Sequence, residues 1–103
     1  MSEKLQGMKD ELADARMVLE YDGERKKAAI SRAVLAAFKA GADSTARAEH
    51  EARSSAKYEE DMRALANAYA KAERVRIEYE TTRIRLEVLR SMLSTQRSLI
   101  EMT

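Results

Sequence analysis

An all-α protein is predicted for this chain, with two long helices folded into a hairpin around a short elbow helix, coiled-coil-like and oligomeric. Three observations predict it. Leu65, Ala68, Ala72, Val75, Tyr79, Thr82, Leu86, Leu89, Leu93, Gln96 and Ile100 follow an unbroken 3,4 spacing, the heptad seam of a helix packed lengthwise on another. The composition, 36% charged and 5% aromatic with no Pro and three Gly in 103 residues, matches a helical bundle and allows one domain, 1–103, without a large globular core. A final helix of about 40 residues, roughly 60 Å at 1.5 Å per residue, is longer than a monomer of this size needs, so part of its stripe is expected to meet a partner.

The first helix is expected over about residues 3–40. Leu5, Met8, Leu12, Ala15 and Leu19 form its apolar face, with Asp10, Glu11 and Asp14 outward. Gly23 costs a helix about 1 kcal/mol and follows Asp22, so a kink is expected there. The pattern resumes at once through Ile30, Val34, Ala37 and Phe38. Gly41 is the strongest stop signal, since glycine tolerates the left-handed conformation that ends a helix, and Lys39 suits the negative end of the dipole. Asp43, Ser44 and Thr45 are candidate N-caps for a short helix at about 45–53, and Ser54 or Ser55 for a long one at about 56–101. Two turns within residues 41–56 lay the last helix against the first.

Along the last helix the seam changes from Ala-rich, suited to close approach, to Leu-rich. Ile77, Ile84, Val88, Met92 and Leu99 lie off the seam and widen the apolar face. A two-helix hairpin covers one side of a helix only, so Ile77, Ile84, Leu86, Leu89, Leu93 and Leu99 are the expected oligomer interface. The other reading is that the first helix covers both stripes.

The net charge of +1 conceals an alternation: −3 over 1–23, +4 over 24–40, −3 over 42–62 and +3 over 63–103. Either acidic and basic segments neutralise one another within the bundle or between subunits, or the basic ones share a face for an anion such as nucleic acid. The cluster Arg25, Lys26 and Lys27, with Arg32 a turn or two on, has only Glu24 as a compensating neighbour and is the first candidate for phosphate. The arginines of the last helix have helical acidic neighbours, as in Arg74 to Glu78, Arg76 to Glu80, Arg83 to Glu87 and Arg97 to Glu101. Tyr69 and Tyr79 lie on apolar stripes and are expected to be packed.

Catalysis has little to build on. His50 is the single histidine and there is no Cys, so thiolate metal sites and disulfides are excluded and no cofactor or metal is expected. Gly7, Gly23 and Gly41 are isolated, forming no phosphate loop, and Ser91, Ser94 and Ser98 have no histidine base nearby. No apolar run approaches a membrane span, and Met1 to Asp10 lacks the order of a signal peptide, so a cytoplasmic protein with no membrane partner is expected. Glutamates interspersed along the last helix argue against a membrane-surface helix.

The order of parts resembles a known family. A basic first-helix stretch from Glu24 to Phe38, a Gly41 to Thr45 elbow, the Ala48 to Ser55 segment and a long helix ending Leu89 to Ile100 look like small helical phage recombination proteins. In plan they are similar to the recombination mediators of the UvsY type. The chain departs from that family in being shorter and nearly neutral. The resemblance implies a homo-oligomer that binds single-stranded DNA in the cytoplasm of a bacterial host and helps a recombinase or annealing protein load there. The alternative is a coiled-coil adaptor or inhibitor that binds a protein partner without nucleic acid.

Overall fold

The computed structural model describes residues 2–102, with side chains from Gln6 onward, so the Leu5 side chain lies outside the described residues. Helix α1 spans Ser2–Lys39, α2 Thr45–Ser54 and α3 Ala56–Met102, with no strand among the described residues. The hairpin with its elbow is as the sequence predicts, drawn out to 85 × 22 × 17 Å. Helix α1 runs through Gly23 without interruption.

The elbow is built from local hydrogen bonds. Gly41 takes φ +109°, and the Ala42 and Gly41 N–H groups donate to the carbonyls of Ala37 and Phe38 at 3.0 and 3.1 Å, satisfying the last turn of α1. Of the three N-cap candidates for α2, Ser44 serves, its Oγ accepting from the Arg47 N–H at 3.2 Å. Ser55 works in both directions. Its Oγ donates to the Ala52 carbonyl at 2.8 Å, ending α2, and accepts from the Tyr58 N–H at 3.2 Å, starting α3. One residue therefore joins α2 to α3.

The core of this hairpin is made of small side chains. The buried residues are Leu12 together with Ala15, Ala29, Ala37, Ala48, Ala52 and Ala72. Alanine lets helix backbones approach closely, so larger side chains stand at the margins. Ile30 and Val34 are half-buried, and Phe38, expected on the same face, is 41% exposed in a shallow cleft that it shares with Glu49 and Arg53 of α2.

The helices run antiparallel in a register that can be read at both ends. Met8 and Glu11 share a cleft with Val75, Glu78 and Tyr79, and Arg32 lies beside Lys57 at the other end. In that register the start of α1 stands opposite Arg85. The rest of α3 extends past it for roughly 25 Å, and every described side chain from Glu87 to Met102 is exposed.

Candidate nucleic-acid interface and uncovered apolar end

Consecutive residues on a helix point about 100° apart, so the sequence cluster Arg25-Lys26-Lys27 cannot form one surface. Lys26 falls on the seam of α1, in the 3,4 series with Leu12, Ala15, Leu19, Asp22 and Ala29. Its Nζ is 3.0 Å from an Asp22 carboxylate that is only 13% exposed. This corrects the expectation that the cluster is balanced by Glu24 alone: Asp22, one turn back at the i,i+4 spacing that favours pairing, neutralises Lys26, whose side chain stays half exposed. Lys27 projects to the far side of α1 and meets Glu24 at 3.8 Å across exposed surface. Arg25 and Arg32, seven residues apart, share one flank and have no carboxylate in ion-pair distance among the described residues.

That flank is completed by α3. Arg32 and Lys57 line a cleft of about 360 Å³ at the junction of the three helices, together with Glu51, Asp61, Ala33, Ala36 and Ala52. The Asp61 carboxylate, 3.1 Å from Lys57 Nζ, holds the ammonium above its ordinary pKa by hydrogen bond and charge, while Arg32 opposes it. Lys71 occupies the same heptad position of α3 as Lys57, two heptads on, and Lys39 continues the α1 series at the elbow. Lys57 and Lys71 were not singled out from the sequence; their heptad phase was the available signal. Toward the start of α1 the flank turns acidic at Glu11 and Glu78.

The pairing along α3 differs in detail from expectation. Arg83 reaches Glu87 at 3.9 Å as predicted, and Glu80 equally. Arg76 instead pairs with Glu73 at 3.0 Å, three residues back, which raises its pKa. Tyr79 is half-buried on the seam, whereas Tyr69, expected to be packed, lies beside the seam and is 41% exposed.

The six residues expected at an oligomer interface divide between two faces. Leu86, half-buried, with Leu89 and Leu93, 55% and 56% exposed, prolongs the seam that holds α1. Leu99 lies beside that seam at 60% exposure. Ile77 and Ile84, each 54% exposed, point away from α1, which therefore does not cover both stripes.

His50 is exposed on α2, no cluster of three potential metal ligands occurs among the described residues, and none of their helices is long and apolar enough to cross a membrane. No protein family model, curated protein or solved structure matches the chain.

Proposed function

We propose that this protein is a non-enzymatic, self-associating binding module that carries single-stranded DNA along one flank of its hairpin, in the manner of a phage recombination mediator that assists a recombinase or annealing protein. The observation that supports this most is the collection of Arg25, Arg32, Lys57 and Lys71 from both long helices on one flank, where neither arginine has a carboxylate within ion-pair distance among the described residues and Lys57 is paired with Asp61. Guanidinium groups recurring every ~10 Å along a rigid helix suit a phosphate chain, which demands repeated charge and little shape. The bacterial cytoplasm is the corresponding location.

Fluorescence anisotropy with a labelled oligothymidylate tests this. Replacing Arg25, Arg32 and Lys71 together by Ala is expected to weaken binding at least tenfold and to lower the slope of log K against log salt by roughly 0.7 per lost contact. Lys27→Ala, on the opposite side, should leave both unchanged. Equal losses from the two variants would sink the flank assignment.

The second reading is a coiled-coil adaptor for a protein partner, favoured by the exposed Leu-rich end of α3. No binding of the oligonucleotide by the unaltered protein at low salt would decide in its favour.

A further inference from the structure

The free end of α3 is not simply a helix without neighbours. Its seam through Leu86, Leu89, Leu93 and Gln96 is in phase with the seam that α1 occupies up to Thr82, so the groove α1 fills continues past the point where α1 starts. Val88, Leu89, Met92, Leu93, Leu99 and Met102 are 51–83% exposed. They present on the order of 700 Å² of surface on one contiguous side, somewhat above the roughly 300–600 Å² of the largest patch on a typical monomer, with Leu89, Met92, Leu93 and Leu99 lining the groove and Val88 and Met102 beside it.

We infer that the occupant of this groove is the same stretch of a second copy, lying antiparallel, so that two hairpins join end to end through residues 86–102. The inference rests on the self-association half of the proposed function and adds the surface and orientation.

The facing pairs single out this arrangement. In the antiparallel register that matches a and d positions, Leu89 faces Ile100 and Leu93 faces Gln96 of the second copy. The flanking position brings Met92 against Leu99, so one edge of the junction is closed by apolar contact in both halves. On the other edge Arg90 and Arg97 of the two copies meet, a like-charge contact that weakens the pairing and that Glu87 and Glu101, one turn away on each helix, partly offset. A parallel arrangement loses the Met92–Leu99 contact and sets Arg97 against Met92.

The dimer is expected to be a rod of about 145 Å, twice the 85 Å of one chain less the shared stretch. Light scattering gives its mass and small-angle X-ray scattering its longest dimension. Leu93→Asp is expected to raise the dimer dissociation constant by about a hundredfold or more, since an unpaired carboxylate would enter the junction. Leu99→Lys, at the edge, should act in the same direction without touching the hairpin. Both variants should keep the far-UV helical signal of the paired region.

A dimer about 90 Å long would overturn the antiparallel arrangement and leave self-association standing. A monomer of wild type at about 10⁻⁴ M would overturn both, while oligonucleotide binding by that monomer would leave the flank assignment intact. Unaltered mass in both variants would overturn the placement of the junction.

Discussion

Two stretches of α3 obey the same heptad rule and meet opposite fates. Through Ala68, Ala72, Val75 and Tyr79 the seam is covered by α1, and the best-buried position is an alanine at 3% exposure. Through Leu89 and Leu93 the same seam carries larger side chains that are more than half exposed. The difference shows that periodicity fixes which face of a helix must be covered but not what covers it. Residue size then separates the cases: alanines allow a close intramolecular neighbour, and leucines offer the larger area that the proposed second copy would need to offset the entropy of association.

The strongest way to break this comparison is to place the same charge in each stretch. Ala72→Asp puts an unpaired carboxylate at a buried position and is expected to cost about 3–5 kcal/mol, enough to unfold much of a chain of ordinary stability. Leu93→Asp at concentrations where the chain is monomeric should change the unfolding midpoint by under ~0.5 kcal/mol, because no residue of α1 reaches that far. Chemical denaturation followed by circular dichroism reads both. Comparable losses at the two sites would mean that the end of α3 is covered within one chain.

Hydrogen exchange sharpens the same contrast without unfolding. The end of α3 beyond Leu86 is about 16 residues long, a length marginal for an unsupported helix. Its Thr95 and Ser98 hydroxyls also donate back to the Ser91 and Ser94 carbonyls at 3.0 and 3.2 Å, a contact that slightly weakens a helix. Amides of residues 88–102 should exchange faster than those of 60–82 in Leu93→Asp, and slow markedly with concentration in the wild type. Protection independent of concentration would contradict a partner there.

The fold was legible because its signals are local: the 3,4 spacing, Gly41 as a stop and serines as caps act within a turn of their own position. The candidate site was legible in part. Arg25 and Arg32 could be picked as uncompensated cations, but the helix scatters a run of three consecutive residues over three directions, and the seam takes Lys26 to Asp22. Lys57 and Lys71 join the flank only through the register between α1 and α3. That register depends on how the elbow turns the chain; linear spacing gives the heptad phase of each lysine but not which residues of α1 it meets.

Ser55 is accordingly the next lever on the pairing. Removing its hydroxyl by Ser55→Ala takes away the acceptor for the Tyr58 N–H and the donor to Ala52, and should cost about 1 kcal/mol, as measured by denaturation. Ser54→Ala is the control: the Ser54 hydroxyl donates to the His50 carbonyl within α2 and caps nothing, so it should be near neutral. A loss confined to Ser55 would confirm that the turn into α3, rather than serine at the junction in general, sets α1 and α3 side by side.

Effects of about the same size but opposite sign are expected at two glycines. A Cβ added at either Gly23 or Gly41 meets nothing within 4 Å, so space does not distinguish them. Backbone conformation does. Gly23 lies in regular helix, where Gly23→Ala should stabilise by roughly 0.8–1 kcal/mol, while Gly41→Ala must hold φ near +109° and should destabilise by about 1 kcal/mol. The sites share no partner, so the double variant should return close to wild-type stability. Failure of Gly23→Ala to stabilise would mean that α1 needs the freedom of glycine there to follow α3. The paired region would then be held by a bend in α1, and the close approach of its alanines would be the result of that bend as well as of their size.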